Sequence, residues 1–207
     1  MVDLDQTILH ATTDRAIQSI ATDRDDIYQI FLPETPHQPY FIKLRPHLWK
    51  FLNNISQLFE LHVYTMGSRS YARAVVSLFD PDGRLFYDRI LSRDDSGIIG
   101  DRRKNLKRIF PADDSTVLVI DDRADVWDYS RNLIPVSPCT FVQLFVQVFK
   151  LLDTFFIGVG DLNRAKEKVN FLLNGDSNAA GIEGHTESIV VSDEDQELLF
   201  ISQVSSL

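Results

Sequence analysis

Apolar and polar positions recur along the chain with two different periods, and the alternation between them sets out the expected elements. MVDLD at 1–5 reads as the end of a strand. Side chains alternate along extended backbone, so Asp3 and Asp5 leave on the same side. Residues 14–40 are polar, and Pro33, Pro36 and Pro39 are expected to keep them irregular. FIKLR at 41–45 reads as extended, and Pro46 then suits the first turn of a helix running to about Gln57. Its apolar positions Leu48, Phe51, Leu52 and Ile55 follow helical spacing. A strand is expected over 58–65, then a helix over 69–79 with Ala72, Val75, Val76 and Phe79 on one face. A short strand at 90–92, a short helix at 104–110 and a buried strand at 116–122 complete the series. Strands alternating with amphipathic helices point to an α/β domain built on a parallel sheet.

The regularity weakens beyond Pro138. FVQLFVQVFKLLDTFF at 141–156 has Phe141, Phe145, Val148, Leu152 and Phe155 at helical spacing. Residues 174–207 are rich in Gly, Asn, Ser and acids, the composition of a disordered tail. Seven acids and no base follow Lys168, so most of the net charge of −9 belongs to this tail and the body is nearly neutral. That balance lacks the basic footprint of a nucleic-acid binder, and no direct nucleic-acid contact is expected. The single cysteine, Cys139, excludes an intramolecular disulfide and suits a reducing compartment. It is also a poor candidate for a cysteine phosphatase, which needs an arginine six residues on, where this chain has Phe145. No basic segment leads into an apolar one at the N-terminus, so no signal peptide is expected. The most apolar stretch, 139–159, is interrupted by Gln143, Gln147, Lys150 and Asp153, and no membrane span is expected.

Candidate chemistry gathers at the C-terminal ends of three expected strands, the edge at which open α/β sheets bind ligands. Asp3 and Asp5 follow the first, Thr65 the second, and Asp121 and Asp122 the third. Carboxylates at that density need a cation, and a small set of hard oxygen ligands suits Mg²⁺. A carboxylate beside a metal can attack phosphorus, and a second carboxylate two residues on can protonate the leaving oxygen. Lys104 and the Thr65 hydroxyl would stabilise the transferring phosphoryl group. Each residue also has an ordinary reading. An Asp-x-Asp pair at a strand end arises by chance, Lys104 lies among Arg102, Arg103, Lys107 and Arg108 on what could be a solvated face, and Thr65 could merely cap the next helix. The five histidines show no metal-ligand spacing.

VDLDQTILH (2–10), LRPHLWKFL (44–52), ELHVYTMGSRSYA (60–72), FYDRILSRDDSG (86–97), KNLKRIFP (104–111) and VLVIDDRADVW (117–127) together resemble the phosphatases acting on the C-terminal domain of RNA polymerase II. Within that family the chain is similar to the larger, TFIIF-associating type, and the family belongs to the haloacid dehalogenase superfamily. The resemblance implies a Rossmann-like parallel sheet with irregular insertions. It implies that Asp3 is the nucleophile, Asp5 the acid/base, and Asp3, Asp5 and Asp122 the Mg²⁺ ligands, with Thr65 and Lys104 holding the phosphoryl group. Arg45, Tyr64, Tyr71, Arg93, Asp94, Asp121 and Arg123 fall on family motifs and are expected to support phosphate or peptide binding. Trp49 and Trp127 are expected in the core. A nuclear protein-serine/threonine phosphatase is implied, with the phosphorylated polymerase tail as partner and TFIIF as a further one.

The resemblance also sets the expected boundaries. The phosphatase domain covers 1–137, an apolar insert 138–154, the end of the domain 155–173, where FFIGVGDLN (155–163) again matches, and the acidic tail 174–207. Only two residues precede Asp3 where the family has a full buried strand, and the BRCT domain of the larger type is not expected within these residues. A chain so truncated is expected to be insoluble or weakly active. Two other readings stay open: a phosphatase of the same chemistry for another phosphate ester, and a non-catalytic interaction module. SIVVSDEDQELLFI (188–201) is similar to motifs that add a strand to ubiquitin-like modifiers, against the simpler reading of an ordinary acidic tail.

Overall fold

The computed structural model describes residues 1–21, 24–96, 103–139 and Leu198. The elements run β1 (Leu9–Thr12), α1 (Gln18–Ala21), β2 (Ile27–Leu32), β3 (Thr35–Leu44), α2 (Leu48–Ile55), β4 (Val63–Tyr64), α3 (Arg69–Phe79), β5 (Ile90–Leu91), α4 (Arg93–Ser96), β6 (Val119–Asp121) and β7 (Leu133–Pro135). Short 3₁₀ turns occupy Arg15–Ile17, Leu106–Arg108 and Asp125–Trp127.

The short first segment is central to the sheet. Val2 bridges Val63 on one side and Ile120 on the other, both in parallel. Four backbone hydrogen bonds hold it there: Val2 N to His62 O, Tyr64 N to Val2 O, Asp3 N to Ile120 O, and Ile120 N to Met1 O. With β4 parallel to β5 and β6 parallel to β7, the spatial order is β7–β6–(Val2)–β4–β5. Three residues thus take the position of a central strand. A cavity of about 300 Å³ with a mixed lining lies by this segment, bordered in part by Met1, Val2, Glu60, His62 and Ile120.

Helix α2 buries Leu48, Phe51, Leu52 and Ile55, and α3 buries Tyr71, Ala72, Val75, Val76 and Phe79. These are the faces that the spacing predicts. Each large apolar side chain so placed stabilises the fold by roughly 1.5–3 kcal/mol. Helix α2 starts two residues after Pro46, because His47 takes a left-handed φ of 63°. Helix α3 is capped by Ser68, whose hydroxyl accepts from Tyr71 N.

Residues 14–40 are more regular than the prolines suggest. β1, β3 and β2 form a three-stranded antiparallel sheet with β3 in the middle. β1 pairs only with Phe41–Leu44, so the half of β3 carrying Pro36 and Pro39 is paired with β2 alone. Proline is tolerated where one side of a strand lies open. Pro33 and Glu34 form the two-residue turn between Leu32 and Thr35.

Leu198 is helical and fully buried in the main hydrophobic cluster, so at least one residue of the acidic tail joins the core. The expected insert at 138–154, apart from Pro138 and Cys139, the returning segment 155–173 and the modifier-binding motif, apart from Leu198, lie outside the described residues. No described helix is long and apolar enough to cross a membrane.

Candidate active site

The chain turns sharply after Asp3. Leu4 and Ile8, both fully buried, anchor a loop in which Thr7, Ile8 and Leu9 all donate to the Leu4 carbonyl, and Gln6 takes a positive φ of 61°. This turn projects Asp3, Asp5 and Thr7 from the C-terminal edge of the central segment. β6 delivers Asp121 and Asp122 to the same edge, and β4 delivers Thr65.

Lys104 joins the two acidic segments. Its Nζ lies 2.5 Å from Asp3 Oδ1 and 2.6 Å from Asp121 Oδ2, and all three residues are buried. The Lys104 main-chain N–H is itself anchored on Val126 O at 2.7 Å. The ring faces of Tyr64 and Trp127 each lie 5.7 Å from the ammonium, and the two rings meet edge to face. Trp127 Nε1 donates to Asp121 Oδ2 at 2.8 Å, and Arg123 N donates to Asp121 Oδ1. Lys104 is thus walled into one orientation rather than exposed on a solvated face.

Thr7 links the first acid to the last. Its Oγ1 accepts from Asp122 N at 3.0 Å and lies 3.2 Å from Asp122 Oδ1 and 3.4 Å from Asp3 Oδ2. Neither Thr7 nor the bonded role of Trp127 is singled out by the sequence reading. The third alternate position of D-L-D-Q-T was the available signal for Thr7.

One carboxylate oxygen from each of Asp3, Asp121 and Asp122 lies within 4.8 Å of the other two. Asp121 is committed to Lys104 and Trp127, which leaves Asp3 and Asp122 as the acids open to a metal. The Asp5 carboxylate, also expected as a ligand, is not in this group of three, and its Oδ1 accepts from the Tyr71 hydroxyl at 2.5 Å. Asp3 and Asp121 are buried, Asp5 and Asp122 half-buried beside them, and one ammonium meets only two of the four, so a set this rich in carboxyl groups suits a divalent cation. Hard oxygen donors of this kind fit Mg²⁺.

Burial raises Asp3 to about 7 against the pull of Lys104, with the Asp121 charge adding to the rise. Burial also raises Asp5, against its Tyr71 hydrogen bond and the Lys104 charge. Asp122 is raised for the same first reason. Burial would lower Lys104, but the charges of Asp3 and Asp121 prevail and raise it. A folded-state acid raised in this way stabilises the fold fully below its unfolded value, and that contribution is lost as pH rises through the folded value. In chelator, the melting temperature is therefore expected to fall by several degrees between about pH 4 and pH 8. Added Mg²⁺ should flatten that slope. Thermal melts across this range, with and without Mg²⁺, check it.

The remaining expected substrate residues divide into two groups. Arg45 is buried and donates to Thr7 O at 2.8 Å, Tyr64 walls Lys104, Asp94 accepts from Arg69 N at the start of α3, and Arg123 pairs with Asp125. These four make scaffolding contacts. Arg93 and Tyr71, by contrast, line a cleft of about 550 Å³ together with Asp5, Tyr40, Gly67 and Ser68. Thr65 is buried, and its hydroxyl accepts from Gly67 N at 3.0 Å, which shapes the turn at the cleft's inner end.

Residues 1–154 match the family model for NLI interacting factor-like phosphatases. The chain is 45% identical over 174 residues to an RNA polymerase II C-terminal domain phosphatase of Schizosaccharomyces pombe, covering 79% of this chain and 22% of that protein. The corresponding phosphatase of Homo sapiens is 39% identical over 163 residues, covering 79% and 15%. Among solved structures, that of Fcp1, an essential RNA polymerase II CTD phosphatase, superposes with a TM-score of 0.72 at 38% identity, covering 99% of this chain and 60% of that one. The chain thus spans less than a quarter of these curated relatives' length, and its fold is that of the haloacid dehalogenase type, as its parallel sheet and structural neighbours agree. The chain belongs to the family of NLI interacting factor-like phosphatases.

Proposed function

We propose that this chain is the catalytic domain of a magnesium-dependent protein-serine/threonine phosphatase acting on the phosphorylated C-terminal repeats of RNA polymerase II. The observation that carries this reading is the buried Asp3 carboxylate, held by Lys104 and flanked by Asp122 and Thr7 at the sheet's ligand edge. The names of the relatives support the substrate; the nucleus is then the place of action, and a contact with TFIIF belongs to the same reading.

Asp3 attacks the phosphorus, and the bond from phosphorus to the serine oxygen breaks. Asp5, whose buried surroundings favour the protonated form, gives its proton to the departing alkoxide. Asp5 then takes a proton from water, which attacks the Asp3 phosphoryl group and releases inorganic phosphate. Lys104 stays fixed throughout and stabilises charge on the transferring group. Asp3 and Asp122 would hold Mg²⁺, which would neutralise charge and help orient the phosphate. Arg93, which lines the cleft, would supply a cation for the phosphopeptide.

Turnover of a phosphorylated heptad peptide, of an unrelated phosphoserine peptide and of an aryl phosphate is the test. With Mg²⁺ all three are expected to react, the heptad peptide with the highest kcat/KM, and chelator should remove activity reversibly. Full activity in chelator would contradict the mechanism. Equal kcat/KM for the two peptides would contradict the polymerase as substrate.

A further inference from the structure

Sequence position places Tyr71 among the peptide-binding residues, yet its hydroxyl is spent on Asp5. We propose that Tyr71 is a positioning residue for the acid/base, holding one oxygen of Asp5 so that the other faces the leaving group. The inference rests on the phosphatase reading above and adds to it how the proton donor is aimed.

Three contacts fix the Tyr71 ring. Its main-chain N–H is bonded to the α3 cap, Ser68 Oγ, at 3.2 Å. The Tyr40 ring of β3 lies 5.9 Å away, tilted by 50°. Beneath it is Gly67, where a Cβ would come within 2.5 Å of Tyr71 Cδ1. The missing side chain at 67 is what lets the ring lie low enough for its hydroxyl to reach Asp5 Oδ1. The bond takes one carboxyl oxygen, and Oδ2 is left to carry the proton that moves. A carboxylic acid free to rotate in the cleft would spend much of its time pointing elsewhere, and proton transfer needs the donor within hydrogen-bond reach of the leaving oxygen.

A residue acting through Asp5 should matter in proportion to how much the leaving group needs a proton. Tyr71→Phe, which keeps the ring and removes only the hydroxyl, is expected to lower kcat on a phosphoserine peptide by about 10- to 100-fold, at the low end of general-acid effects. On p-nitrophenyl phosphate, whose leaving group needs little protonation, the burst of p-nitrophenol from the first step should slow by no more than about 3-fold. KM for the peptide should stay near the wild-type value. In an Asp5→Ala background, Tyr71→Phe should have no further effect, since residues acting as one unit are not additive. Gly67→Ala, which displaces the ring without touching the hydroxyl, should give the same leaving-group pattern and serves if Tyr71→Phe melts early.

An equal loss of the first-step rate on both substrates in both variants, a change confined to KM, or an undiminished effect in the Asp5→Ala background would overturn the proposal. Absence of any Asp3-dependent turnover by the wild type would instead overturn the phosphatase reading, and this inference with it.

Discussion

Asp3→Asn is expected to abolish turnover on every substrate, good leaving group or poor, down to the background of the preparation. The amide keeps the size of the side chain but offers no anionic oxygen to attack phosphorus. It also takes away one of the two negative charges that hold Lys104, which stays paired with Asp121. Because a raised, buried acid is being replaced by a neutral group, the variant should fold at least as well as the wild type in chelator. Loss of activity with a retained or raised melting temperature separates loss of the nucleophile from loss of structure. Steady-state assays beside thermal melts make the check, and residual turnover above a few per cent would remove Asp3 from the role.

Lys104→Ala is expected to cost on the order of 10²–10³ in kcat, the range seen when one preorganised charge-stabilising donor is removed. The ammonium is tightly confined by two carboxylates within 2.6 Å, two aromatic walls and burial of the whole side chain. A group so held does not reorganise as charge moves onto the phosphoryl oxygens. Removing it also leaves Asp3 and Asp121 facing each other without a counter-charge, so a lower melting temperature is expected together with the rate loss. Arg103 and Lys107, both exposed, serve as controls, and alanine at either should change kcat by less than about 2-fold, as surface changes away from a site do. Three variants of equal activity would place Lys104 outside the chemistry.

The ends of the parallel strands and their acids are legible in the sequence because a strand buried on both faces is apolar at successive positions, as at Val119 and Ile120 of β6, and the acids stand at its end. Helices α2 and α3 are legible for a similar reason, since each presents one apolar stripe. The β2–β3 pair escapes the same reading because its pattern is set by pairing and not by periodicity. Pro36 and Pro39 forbid a fully paired strand, and only the partner strand shows that the open side lies where they need it. Side-chain roles are the least legible. Tyr64, Tyr71 and Trp127 all read as aromatic positions on motifs, and composition does not tell which faces Lys104, which bonds Asp5 and which bonds Asp121. The same holds for Arg45 and Asp94, whose charges are used to hold main chain in place. Met1–Asp3 shows the reverse: so short a segment is expected to be too little for a strand, yet it is hydrogen-bonded on both sides between β4 and β6.

The central claim is that the phosphoryl group passes through Asp3. Rapid quenching of the enzyme with a phosphorylated heptad peptide, followed by borohydride reduction and peptide mass spectrometry, tests it most directly, because an acyl phosphate is reduced to an alcohol whereas a free carboxylate is not. Homoserine at position 3 is expected, dependent on Mg²⁺, and enriched when an Asp5→Asn variant is given an aryl phosphate, whose leaving group needs no proton from Asp5 while hydrolysis of the intermediate still does. Reduction at any other carboxylate, or full turnover with no reducible acyl group in either protein, would contradict it.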